Sequence, residues 1–191
     1  MQKLNCKIAL LSKGIYFLIA NLFLSTRLPN IQNKKYQDLY ISSLKGFEIF
    51  ALNRFYIDFT RNDLPSLQLI IFFFLGSKLC FAIRNDQSEL IAINLYYFNY
   101  QDVIERSIHE GFIAVKQSHQ KRGLGTCLRK YAVLHFSTTY LSYISSRITM
   151  TNSASLKSAQ KLGFTPVETY VDNQTGESRF YLLCDLRNYT S

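Results

Sequence analysis

Between Val115 and Thr126 the chain reads Val-Lys-Gln-Ser-His-Gln-Lys-Arg-Gly-Leu-Gly-Thr. An apolar run stops, a polar turn follows, and Gly123 and Gly125 open an amphipathic stretch. Glycine lets backbone approach a ligand closely and take conformations that a Cβ resists. A helix start adds unpaired N–H groups and a partial positive charge. The chemistry implied is anion binding, with phosphate the natural guest. Lys121 and Arg122 bring charge to the same place. Hydrogen bonds to a charged partner contribute about 1.5–3 kcal/mol each, so three or four would hold a pyrophosphate. Taken alone, two glycines at a helix start favour the plainer reading, a tight strand–helix turn. A Rossmann fingerprint is excluded, because no third glycine follows at the required offset. A P-loop is excluded as well, since the Gly-Lys-Ser/Thr ending is absent.

A second pair of chemically able residues, His109-Glu110, lies just upstream. Histidine titrates nearest neutral pH. Alternation along a strand sends the two side chains to opposite faces, so at most one faces any given cleft. The four cysteines, Cys6, Cys80, Cys127 and Cys184, are widely spaced with no CxxC pair, so neither a zinc site nor a disulfide framework is expected. That pattern fits a reducing compartment, and a cytoplasmic location is the expectation.

Elements that could position these groups are legible around them. Lys78–Arg84 and Glu89–Tyr100 read as a hairpin about the turn Asn85-Asp86-Gln87-Ser88. Residues 108–116 form a further strand, ending in the apolar stretch Phe112–Val115. Helical spacing of Leu124, Leu128, Tyr131, Ala132 and His135 predicts a helix over about 123–140. A short strand over 146–151 precedes Asn152 as a helix cap, and Leu162-Gly163 is the stop signal. Two last strands, about 165–171 and 178–186, flank a turn at 172–176. Upstream, residues 30–44 read loosely as a helix, and Asp63-Leu64-Pro65 as a helix start capped by Asp63 and stopped at Gly76. The run Ile15–Leu24, after Lys3, Lys7 and Lys13, reads as a first strand behind a basic leader of residues 1–14 rather than a signal peptide or anchor. Helices and strands in this order argue an α/β fold with a mixed sheet. At 191 residues the chain is long enough for one domain with its own core, spanning 15–191.

Two stretches together resemble the GNAT N-acetyltransferase superfamily. Gln120-Lys-Arg-Gly-Leu-Gly125 matches its Gln/Arg-x-x-Gly-x-Gly/Ala signature. Asn152 with Ser155, followed by Lys161-Leu-Gly-Phe164, matches its second signature at the usual distance. The resemblance covers about residues 78–186; upstream it implies a first strand at 23–28 followed by two helices. It implies a single-domain sheet of about six to seven mostly antiparallel strands flanked by about four helices. It also implies acetyl-CoA as co-substrate, no metal, and transfer of an acetyl group to a primary amine by direct attack in a ternary complex. The backbone of Ile113, Ala114 and Val115 would hold the pantetheine arm at a splay between two strands. The amides of Lys121, Arg122, Gly123, Leu124, Gly125 and Thr126, beside Gln120, would cradle the pyrophosphate, and Asn152 would touch the cofactor arm. The Val115 amide would face the developing negative charge, and His109 or Glu110 would take the proton. Many relatives carry a Tyr four residues before the Gly-Phe glycine as the acid. That position here is Ala159, so either another tyrosine serves, with Tyr170 and Tyr181 as candidates, or the thiolate leaves without a dedicated acid.

A charge of +9 points to an anionic partner. The 22 Lys and Arg are dispersed, without the long basic runs of a nucleic-acid arm, so no specific nucleic acid is expected. The same charge disfavours polycationic acceptors, which leaves a small molecule or a protein N-terminus. A membrane is not the expected partner, and a homodimer is left open. The other readings are a non-catalytic CoA- or acyl-CoA-binding protein of the same fold, and a basic protein held at a membrane by residues 1–24.

Overall fold

The computed structural model describes residues 2–173 and 175–189, with side chains from residue 12 onward, so Cys6 lies outside the described side chains. Among the described side chains Cys80, Cys127 and Cys184 are free thiols. The described elements run α1 (Gln2–Ser25), β1 (Lys34–Tyr36), β2 (Leu39–Ser43), α2 (Ile49–Thr60), α3 (Ser66–Leu79), β3 (Cys80–Arg84), β4 (Leu90–Tyr97), α4 (Tyr100–Glu105), β5 (Ser107–Val115), α5 (Leu124–Ser137), β6 (Tyr143–Thr149), α6 (Ser153–Gln160), β7 (Phe164–Val171) and β8 (Ser178–Asp185). All eight strands form one sheet in the order β1-β2-β3-β4-β5-β6-β8-β7. Only β5 and β6 run parallel. The α/β class holds, with two more helices than expected and a strand or two more.

The second half follows the sequence closely, because its strands are long and apolar and its turns carry Asn, Asp and Gly. The first half departs from it. Residues 15–24, and part of the alternative first strand at 23–28, lie in α1, a 24-residue helix that also takes in residues 2–14. Its inner face (Phe17, Asn21, Leu24, Ser25) packs inward. The buried Asn21 amide donates to Phe98 O and accepts from Phe98 N–H, each at 2.8 Å, which docks α1 on the end of β4. Residues 30–44 form the β1–β2 hairpin, not a helix: Leu39 and Ile41 alternate with exposed Tyr40, a period of two that the polar residues around them masked.

The helix expected from Asp63 begins instead at Ser66, with Pro65 before it, and Asp63 accepts a 2.8 Å bond from Asn53 on α2. Gly76 does not end it, for α3 continues to Leu79. A Cβ at Gly76 would stand 2.9 Å from Leu44 O, so this glycine permits close packing on the strand region rather than a stop. Aliphatic and aromatic side chains on both faces of β3 and β4 fill the core between the helices.

Candidate active site

Parallel pairing between β5 and β6 is confined to four positions, from Ser107↔Tyr143 to Glu110↔Ser146. Beyond them β5 continues with β4 alone to Val115, and β6 continues with β8 alone to Thr149. The two strands therefore part company at Glu110 and Ser146, and a gap opens in the sheet. Lys116 N–H donates to Ile91 O at 2.9 Å, which fixes the ladder phase. By alternation the N–H and C=O of Ile113 and Val115 turn away from β4, toward the gap.

The gap opens into a cleft of about 600 Å³. Its walls are the strand end 113–115, the loop and helix start 119–126 apart from Arg122, and the first turn of α6 with Asn152. The loop brings backbone amides round a concavity. Lys121 and Gly123 both take positive φ, 62° and 75°, and alternation of left-handed residues with their neighbours makes an anion-binding nest. A Cβ at Gly123 would meet nothing within 4 Å, and one at Gly125 would touch only Val115 Cγ2 at 3.8 Å and Ile113 Cδ1 at 3.9 Å. Both glycines thus leave open space over the helix start. Gln120 Nε2 donates to Val115 O at 3.1 Å, tying the loop to the strand end. Thr126 Oγ1 donates to Ser158 at 3.0 Å, and Asn152 Oδ1 caps α6 by accepting from Ser155 N–H at 3.1 Å. Arg122 turns the other way and pairs with Asp38 of the β1–β2 turn at 2.9 Å. That pair is partly exposed, worth about 1 kcal/mol or less, so the guanidinium is easily released.

Glu110 and Arg129 sit where the strands part, both buried. Arg129 Nη2 and Nε donate to the Glu110 carboxylate at 2.8–3.0 Å, while Nη1 and Nη2 reach Ser155 O and Oγ at 2.9 Å. Asn94 and Ser146 add donors to the same carboxylate at 2.9 and 3.0 Å. Burial alone would raise its pKa, yet the Arg129 charge and these bonds outweigh burial and hold it below the usual carboxylate range. A carboxylate so held is a poor proton acceptor.

His109 faces the other side of the sheet. Its Nδ1 lies 2.7 Å from Ser145 Oγ, which donates to Asp102 Oδ1 at 2.7 Å. Ser145 has one hydroxyl proton and gives it to Asp102. The Nδ1–H of His109 is therefore the donor to Ser145, and Nε2 carries the lone pair. Asp102 also accepts from Ser107 Oγ at 2.8 Å and Asn99 N–H at 2.9 Å. Burial, with Arg147 adding to it against the pull of Asp102 and Glu110, lowers the imidazole pKa to about 4. An unfolded histidine titrates near 6.5, so between these values the unfolded chain binds more protons than the folded one. Stability tied to His109 is full above about pH 6.5 and falls as pH drops toward 4, by about 3 kcal/mol in all. Urea unfolding across that window should show this slope in the wild type and a flatter one in His109→Gln.

Tyr181, on β8, shares this face: it lies opposite Arg147, whose guanidinium sits 5.5 Å from its ring. Burial raises its phenol pKa, partly offset by Ser145 and Arg147. Tyr170 is on β7, the sheet edge, separated from β5 by β6 and β8. The geometry thus brings His109 and Tyr181 to one side and leaves Tyr170 remote. Ala159 is wholly buried and offers no acid.

The sequence model of the Acetyltransferase (GNAT) family matches residues 47–164, well over half of the chain. The chain belongs to the GNAT acetyltransferase family. No curated protein matches it by sequence. It is similar in structure to the ribosomal-protein-S18-alanine N-acetyltransferase from Escherichia coli (16% identity, TM-score 0.60, 78% of this chain and 94% of that one). An N-acetyltransferase from Staphylococcus aureus Mu50 superposes at TM-score 0.65 with 16% identity over 79% and 100% of the two chains. The dodecameric spermidine N-acetyltransferase from Vibrio cholerae does so at 0.62 with 15% identity over 82% and 98%. Identities this low carry the fold alone.

Membership in the GNAT family makes acetyl-CoA the expected co-substrate, and the residues present fit it. An amide nest faces a helix start, open space lies over Gly123 and Gly125, and strand amides turn into the gap. Several contributors escaped the sequence. Arg129 stands among Leu128, Ala132, Val133 and Phe136 on the buried face of α5, and a charge inside an apolar stripe was the available signal. Asp102, in the short helix α4, and Ser145, in an apolar strand, gave none. Among the described residues no cluster of three side chains suited to a metal occurs.

Proposed function

We propose that the protein transfers an acetyl group from acetyl-CoA to a primary amine, on a small molecule or a protein N-terminus, by direct attack in a ternary complex. The observation that carries this reading is the parting of β5 and β6 at Glu110 and Ser146 directly beside the nest at Lys121–Gly123. A new C–N bond replaces a C–S bond, so one proton must leave the nitrogen and one must reach the departing sulfur. The Val115 N–H, turned into the gap, is the donor toward the carbonyl oxygen where negative charge grows. Of the two strand candidates His109 is the better base. It is neutral with a lone pair on Nε2, held in that tautomer through Ser145 and Asp102, whereas Glu110 is saturated by donors. Tyr181 is the better acid, since it lies on β8 opposite Arg147 of β6, whereas Tyr170 is one strand further from β5, on the edge strand β7. Arg147 beside Tyr181 and the charge of +9 disfavour spermidine-like acceptors.

Thermal unfolding with acetyl-CoA, CoA and ATP as separate ligands tests the site. At a hundredfold excess over the dissociation constant, binding adds about 2.7 kcal/mol, which raises the midpoint by several degrees in a chain of this size. Stabilisation by the two CoA ligands and not by ATP is the expected result. An amine panel then reads turnover, with His109→Ala and Tyr181→Phe expected to lower kcat by about 10²–10⁴ while acetyl-CoA affinity holds. Binding without turnover on any amine would favour a CoA-binding protein that lacks transferase activity.

A further inference from the structure

The outward face of α1 is apolar. Ile15, Tyr16, Ile19, Leu22 and Phe23 recur at helical spacing along it, with Ile19 and Phe23 59% and 63% exposed. The patch continues onto α4, where Tyr100 rests its ring 5.4 Å from Tyr16 and Ile104 is 61% exposed. A contiguous apolar surface on a soluble fold marks a contact site. It serves no part of the cleft, and α1 lies outside the residues matched by the family model.

Charge identifies what covers it. The first acidic residue in the sequence is Asp38, and six basic residues precede it: Lys3, Lys7, Lys13, Arg27, Lys34 and Lys35. Two thirds of the net +9 thus belongs to the first 37 residues. Among the described residues no helix is long and apolar enough to cross a membrane. An apolar helix face flanked by Lys13 and Arg27, on a basic segment without acids, has the composition of a helix that lies in the interface of an anionic bilayer. A second copy would bring like charges together, which opposes self-association through the same face. We propose that α1, with Tyr100 and Ile104 beside it, docks this protein in the headgroup layer of an anionic membrane, lying on the surface without spanning it.

The test uses the full chain and large vesicles of phosphatidylcholine, with and without phosphatidylserine at about one lipid in three. The chain contains no Trp, so Phe23→Trp supplies a single indole on the docking face. A blue shift of its emission and co-sedimentation with the anionic vesicles are expected. Both should weaken about tenfold on neutral vesicles or in about 0.5 M NaCl. Ile19→Glu should abolish co-sedimentation while the unfolding midpoint and acetyl-CoA binding stay unchanged. If Ile19→Glu lowers the midpoint, Lys7→Gln with Lys13→Gln, which removes two charges of the basic segment and no apolar side chain, should still weaken anionic-vesicle binding. No emission shift with anionic vesicles would overturn the proposal. So would sedimentation showing a dimer that Ile19→Glu dissociates, with no vesicle binding, because the face would then be a contact between copies.

Discussion

Replacing Glu110 with alanine should cost the fold about 3–5 kcal/mol, read as a drop in the urea midpoint at unchanged slope. The Arg129 guanidinium would stay buried with its charge uncompensated, its remaining partners being the Ser155 carbonyl and hydroxyl. Ser146 and Tyr96 would lose their acceptor, and Asn94 would keep only Tyr96 Oη. Against a total stability of about 5–15 kcal/mol, that is a large share. The double variant Glu110→Leu with Arg129→Met removes both charges and should regain most of the loss, since a buried ion pair is more costly to break than to delete. Equal destabilisation by the single and double variants would mean that the pair carries packing rather than charge. A midpoint unchanged in Glu110→Ala would mean that Arg129 finds water, so that its burial does not seal it from solvent.

Gly125→Glu should separate binding from folding. The new Cβ would meet only Val115 Cγ2 and Ile113 Cδ1 at ordinary contact distance, so the backbone need not move. Glutamate is a better helix former than glycine, and a carboxylate in the first turn of α5 complements the helix dipole, so stability should hold or rise. The same carboxylate occupies the open space over the nest and repels phosphate. Acetyl-CoA affinity should fall by about a hundredfold or more, equivalent to about 2.7 kcal/mol. Calorimetric titration of a variant with a wild-type unfolding curve makes the comparison. Undiminished affinity in that folded variant would remove the cofactor reading of the loop.

The cleft was largely legible in the sequence because its residues act through backbone. Gly123 and Gly125 announce open space, and the polar run before them announces a turn. The strand end at Val115 could be read from hydrophobicity. What escaped depends on partners far away in the chain. Glu110 and His109 look alike as titratable strand residues. Only the fold brings Arg129 to one and Ser145 with Asp102 to the other, leaving the first a sealed anion and the second a neutral imidazole. The α1 error has a different cause. Ile15–Leu24 is apolar on nearly every side, so neither a period of two nor one of 3.6 stands out, and a short apolar run does not distinguish strand from helix. The missed hairpin at 34–43 is too short for periodicity to register.

The seam between β5 and β6 has a mechanical consequence. Four residue pairs join two leaves of sheet, β1–β5 and β6–β8, like the spine of a book. The spine is riveted on both faces, by Glu110 to Ser146 with Arg129 on one and by His109 to Ser145 with Asp102 on the other. The protein's own bonds thus set where the leaves join and where they part, and a ligand between them need not break the spine. A site preorganised in this way diverts little of a ligand's binding energy into reshaping the protein.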